Sequence, residues 1–258
     1  IGAINAAFEH VPILLFSGRT PATEQGRFGA RAIPIGWGQE MRDQAAMIRE
    51  AVKWDYELRF AEQTAELVDR ALAIALSTPK GPVYMSLPRE VLCAPCPNVG
   101  LDAPPVMAPA RIMATQGDIA RAAQMLAKAK APAIFNQGGA GSAEAFAALS
   151  VMVEAWAIPV VHHWATRVAV PTDSAMYAGF DVQPWIGEAD VILVLDGIAP
   201  WMPDSHKPAA DCRIIHVGPN PLWSRYPVRN HRSDLALAGE TADIVLALAA
   251  AMGAHRKP

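Results

Sequence analysis

APAIFNQGGAGS, residues 131–142, decides the fold. Ala131 to Phe135 is apolar without polar alternation, the pattern of a strand buried on both faces. Gly138-Gly139-Ala140-Gly141 breaks the run. A helix over 142–157 follows, with Phe146, Leu149, Val153 and Trp156 at three-four-three spacing. A helix over 118–128 precedes this strand. Beyond it come the strands IPVVHH (158–163), DVILVLD (190–196) and CRIIHVG (212–218), then a closing helix over 241–252. Continuous apolar strands spaced by helices predict a parallel, doubly wound sheet across residues 111–258.

Upstream, CAPCPNVGLDAPPVMAPA (93–110) carries five prolines and little periodicity, which predicts an extended interdomain linker. Residues 1–92 predict another α/β unit. VPILLFSG (11–18) and VYMSLP (83–88) read as strands buried on both faces. Leu67, Val68, Ala71, Leu72 and Ala75 mark a helix within 60–76, and Met47, Ile48 and Val52 can share a helical face over 43–52. A polar, glycine-containing segment over 19–38 has the length of a functional or mobile loop. The chain opens at Ile1, without methionine, in what reads as a helix tail, and stops at Pro258 after another helix. A piece of a longer protein is the expectation.

Composition narrows the function classes. Of 258 residues, 52% are hydrophobic and 18% charged, enough for a large core and against disorder. A net charge of -3 without a Lys/Arg cluster offers no field for nucleic acid. No apolar run reaches the roughly 18 to 20 residues of a membrane span, and no signal peptide is visible. Three cysteines make no disulfide framework, which fits a reducing cytoplasm.

Three local features invite chemistry. Gly138, Gly139 and Gly141 lie between a strand and a helix, where a backbone can approach a phosphate. Glu144 stands where a dinucleotide fingerprint has its third glycine, and no acidic residue ends the next strand, so a tight turn is the competing reading. Cys93 and Cys96 form a lone CxxC without a second ligand pair, more consistent with chance than with zinc. His162 and His163 end a strand at the carboxyl edge, but neighbours on a strand face opposite ways, which favours structural roles.

Several stretches together resemble one family, the thiamine-diphosphate-dependent enzymes of the acetolactate synthase type. VPILLFSGRTP (11–21) is similar to a strand and loop of the pyrimidine-binding domain. GQEMRDQAAMIREAVKWDYEL (38–58) resembles the Gln-Glu element and the Lys after it, and KGPVYMSLPREVL (80–92) the Gly-Pro-Val strand that closes the domain. IPVVHHWATRVAVPTDSAMYAG (158–179) and CRIIHVGPNP (212–221) resemble the central domain. The resemblance spans nearly the whole chain.

It implies an α/β fold of two parallel-sheet units: the C-terminal part of a pyrimidine-binding domain at 1–92, and a Rossmann-like (DHS-like) central domain at 111–258. It further implies thiamine diphosphate and Mg2+ acting on a small 2-oxo acid by decarboxylation or carboligation, in a cytoplasmic homodimer or homotetramer without nucleic-acid or membrane partners. The family's cofactor-bonding glutamate is expected upstream of Ile1, and its metal- and diphosphate-holding element beyond Pro258, leaving these residues inactive alone. Gln39 matches a glutamine on the substrate side of the cofactor, a catalytic position, with Trp37 and Glu40 beside it against the cofactor. Gly38 stands where several relatives carry Phe. Gly218 and Asn220, in place of aspartates, and GIAPWMPDSH (197–206) speak against FAD and for a central scaffold. The alternatives are a nucleotide-binding module built on Gly138, Gly139 and Gly141, and a catalytically inactive structural module.

Overall fold

The computed structural model describes residues 1–95 and 106–255. It divides into two compact units, residues 1–110 and 111–258.

In the first unit, helix α1 (Gly2–Phe8) leads into strand β1 (Leu14–Arg19). A four-residue helix α2 (Ile35–Gly38) lies in the long loop that follows. Strand β2 (Asp55–Glu57), helix α3 (Thr64–Leu76), strand β3 (Val83–Pro88) and helix α4 (Arg89–Cys93) complete the unit. The strands form a parallel sheet in the order β1-β3-β2. Because side chains alternate along a strand, β3 serves two layers. Val83 and Met85 pack with Ala71 and Ala75 of α3, while Tyr84 packs with Ala45 and Val52 on the opposite face.

Two expectations change here. Residues 43–52 form two 3-10 turns, Ala45–Met47 and Arg49–Ala51, instead of a helix. Ile48, at φ -124, leaves helical space between them, yet Ala45, Ile48 and Val52 still reach one apolar cluster. Strand β1 is not buried on both faces: it borders the sheet among the described residues, and Phe16 is 52% exposed. Strand β3, flanked on both sides, is almost wholly buried.

The proline-rich stretch lies partly outside the described residues, Cys96 included. Its end is tied to the first unit. Met107 N–H donates to Asp69 at 2.8 Å, Ala110 N–H to Ser77 Oγ at 2.9 Å, and Thr78 N–H to the Ala110 carbonyl at 2.9 Å.

The second unit runs through helix α5 (Gln116–Lys128), strand β4 (Pro132–Asn136), helix α6 (Ala143–Trp156), strand β5 (Val160–Val161) and helix α7 (Gln183–Ile186). Strands β6 (Val191–Leu195), β7 (Arg213–Gly218) and β8 (Leu235–Ala238) and helix α8 (Thr241–Gly253) follow. Side-chain caps start two of the helices: Thr115 accepts from Asp118 N–H, and Ser142 from Ala145 N–H. All five strands are parallel, in the order β5-β4-β6-β7-β8. One face, with Ile134, Leu193, Ile215 and Leu237, buries α5, α6 and α8. The other, with Phe135, Ile192, Val194 and Ile214, buries Ile186 of α7 and Trp201. Strand order reverses between β4 and β6, which places a crevice at their carboxyl ends.

Candidate functional site

In the first unit, β1 ends at Arg19, and β3 delivers Arg89 immediately after Pro88. The loop between β1 and β2 folds back over these ends. A cleft of about 440 Å³ lies there, with Ser17, Arg19, Arg31, Gln39, Gln44 and Arg89 on its walls.

Glu40 organises the loop. It accepts from the Thr20 hydroxyl at 2.7 Å and from Arg19 Nη2 at 3.1 Å, and it pairs with Arg31. The Thr20 hydrogen bond, with Arg19 and Arg31 beside it, holds the Glu40 carboxyl below the usual range while burial opposes it. Arg19 also pairs with Glu57 at the end of β2, and Arg31 Nε donates to the Pro21 carbonyl at 2.8 Å. Both carboxylates are thereby committed to guanidinium groups.

Gln44 Nε2 lies 2.9 Å from Ser17 Oγ, the Gly18 carbonyl and Tyr84 OH, fastening the loop to the sheet. Trp37 Nε1 donates to Glu24 at 3.1 Å, and Arg31 sits 5.5 Å over its ring. Trp37 and Glu40 therefore shape the loop. Gln39, exposed, lies on the cleft wall, and its amide has no hydrogen-bond partner among the described residues. A side chain added at Gly38 would meet nothing within 4 Å. Lys53 is structural: its ammonium caps α3 by donating to the carbonyls of Ile74 and Ser77.

In the second unit the glycine loop lies at the crevice between β4 and β6. Each glycine there has a protein neighbour that requires it. A Cβ on Gly138 would come 2.5 Å from Asp196 Oδ2, on Gly139 2.8 Å from Arg167 Cβ, and on Gly141 2.8 Å from Ala242 N. Gly139 and Gly141 also have φ of +82 and +88. Asn136, 1% exposed, accepts from Gly139 N–H and donates to the Arg167 carbonyl, both at 2.8 Å. Gln137 Oε1 accepts from Ile198 N–H at 2.8 Å. The polar groups of the crevice thus bind one another.

His162 and His163 are buried and have separate neighbours. His162 Nε2 accepts from Ala169 N–H at 3.3 Å, while His163 Nδ1 faces the Phe180 carbonyl at 3.3 Å. Burial pushes both imidazoles below their ordinary pKa. No group of three or more metal-ligating side chains occurs among the described residues.

A sequence model described as "Thiamine pyrophosphate enzyme, central domain" matches residues 119–248, half of the chain. The chain belongs to the thiamine pyrophosphate enzymes. "Probable 2-ketoarginine decarboxylase AruI" of Pseudomonas aeruginosa is 33% identical over 202 residues, covering 75% of this chain and 34% of that protein. The acetolactate synthase large subunit IlvG of Mycobacterium tuberculosis is 28% identical over 184 residues, covering 71% and 32%. The crystal structure of benzoylformate decarboxylase from Polynucleobacter necessarius superposes with a TM-score of 0.78 at 18% identity, over 99% of this chain and 47% of that one. The chain thus spans about a third of the length of these curated relatives.

Set against the needs of a thiamine pyrophosphate cofactor, the cleft offers polar groups but no free acid from Glu40 or Glu57. A free amide on a cleft wall suits a substrate-side contact. The committed state of Glu40 and Glu57 leaves neither as a free acid for the pyrimidine ring. The family resemblance named Gln39 on this cleft and passed over Arg31, Gln44 and Arg89 on the same walls. Arg89 had a readable signal: it follows directly on a strand, which places it at the carboxyl edge.

Proposed function

We propose that this chain is part of a thiamine-diphosphate- and Mg2+-dependent enzyme that acts on a 2-oxo acid by decarboxylation or carboligation. The supporting observation is the Gln39 amide, without a partner among the described residues, in a cleft at the carboxyl edge of the first sheet. When bound, the cofactor supplies an electron sink for cleavage next to a carbonyl. The work of this chain is geometric. Gln39 presents an amide that can both donate to and accept from a substrate carbonyl or carboxylate. Glu40, through Thr20, Arg19 and Arg31, fixes the loop that carries Gln39.

The second unit serves in this reading as a scaffold, since Asn136 and Gln137 spend their side chains on Gly139, Arg167 and Ile198. The exposed Phe28, Ile33, Ile35 and Trp37 suit a homodimer or homotetramer in which the loop meets another copy. A cytoplasmic enzyme completes the proposal. No helix among the described residues is long and apolar enough to cross a membrane.

The test is expression of the full reading frame with Mg2+ and thiamine diphosphate. Carbon dioxide release from one member of a 2-oxo acid panel is expected. Neither cofactor binding nor release from any member would sink the proposal.

A further inference from the structure

The cleft of the first unit carries an uncompensated positive charge. Three guanidinium groups line it, from Arg19, Arg31 and Arg89. Two carboxylates answer them, and both are taken: Glu57 by Arg19, and Glu40 by Arg19 and Arg31 together. Arg89 is exposed, and its guanidinium has no hydrogen bond or ion pair among the described residues. Its neighbour Glu90 is turned elsewhere, accepting from Thr23 N–H at 2.7 Å and Thr23 Oγ1 at 2.8 Å. One cation in a neutralised pocket therefore stays available to an incoming anion. A polar group suited to the same ligand stands on the cleft wall, the Gln39 amide.

We propose that Arg89 is the residue that draws a small organic carboxylate into this cleft, a positioning residue for an anionic substrate. The proposal rests on the functional reading above only in calling that carboxylate a substrate. The anion site itself can be tested without turnover. A guanidinium is a permanent cation whose fork matches two carboxylate oxygens. Held on a backbone fixed by β3, it acts on approach and capture. Its field in an open cleft falls off over about 8 Å at physiological ionic strength. Capture by a charge at the opening also suits decarboxylation, because a carboxylate gripped tightly at the reacting carbon would stabilise the ground state that must be left.

The experiment is calorimetric titration of the 258-residue chain at low salt with pyruvate, malonate and inorganic pyrophosphate. Arg89→Gln and Arg89→Lys are compared with Arg121→Gln, an equal charge change at an exposed position in the other unit. Wild type and Arg121→Gln are expected to bind pyruvate and malonate weakly and alike. Arg89→Gln should bind them about tenfold more weakly, as expected for loss of a charge-assisted hydrogen bond at an exposed site, with Arg89→Lys between. Raising the salt should weaken wild type more than Arg89→Gln. Equal affinities in wild type and Arg89→Gln, or no carboxylate binding by wild type, would overturn the proposal. So would pyrophosphate binding more tightly than either carboxylate in an Arg89-dependent way, because the site would then be one for phosphates. Failure here leaves carbon dioxide release by the full-length enzyme untouched, and the reverse also holds.

Discussion

His216 sits in the middle of β7 with 1% of its surface exposed and a cation for company. One ring nitrogen faces the Arg232 carbonyl at 3.0 Å, and Arg229 Nη2 approaches the other at 3.2 Å. Burial, with the Arg229 and His231 charges adding to it, pushes the imidazole from 6.5 down to about 4, and the Arg232 carbonyl only partly opposes this. Between those two pH values the unfolded chain binds a proton that the folded chain refuses. Stability therefore falls as the pH drops from about 6.5 to about 4 and levels off below, by on the order of 3 kcal/mol for this residue. His231, also lowered to about 4 mainly by burial, adds to the slope in the same direction. Urea unfolding at a series of pH values checks this. His216→Asn should flatten the slope, and an unchanged slope would place its origin elsewhere. The site residues show the same dependence on folded context. Gln39 was named only through the resemblance of residues 38–58 to a family element, and the structure places it on the cleft wall. Arg31 and Gln44 could not, because their partners lie 9 to 40 residues away and only the folded loop joins them.

At the scale of elements, Lys53 links a loop to a helix that it does not belong to. Its ammonium satisfies carbonyls at the C-terminus of α3, where the helix leaves acceptors without intrahelical partners. Lys53→Met keeps most of the stem and removes the donors. It should lower the stability of the first unit by about 2 kcal/mol, read from its urea midpoint, as for a hydrogen bond to a charged group. A shift within error would mean that water replaces the ammonium at no net cost. Strands were the legible elements. The runs PAIFN, VILVL and RIIHVG are buried almost throughout, and burial on both faces is what leaves an unbroken apolar signature. Strand β8 escaped notice because LALA is four residues long, rich in a helix former, and buried only at every other position. The segment 43–52 misled because apolar spacing of three and four can be met by two turns joined at Ile48.

At the scale of the molecule, each of the two units carries a parallel sheet of its own. The second has helices α5, α6 and α8 on one sheet face and Trp201 with α7 on the other. Residues 111–258 expressed alone should therefore fold and unfold in one cooperative calorimetric transition. A broad, non-cooperative melt would show that the unit depends on the rest of the chain. Its two-layered core was visible in the sequence as alternating elements.

The margins of the two sheets carry a practical consequence. The second sheet is bordered by its shortest strands, Val160–Val161 and Leu235–Ala238, so a stray chain finds little backbone to pair with. Strand β1 borders the first sheet with six residues and a half-exposed Phe16 among the described residues, a longer and greasier template. Clouding on concentration should thus begin at the first unit. Light scattering from 111–258 should stay flat at concentrations where the 258-residue chain turns turbid.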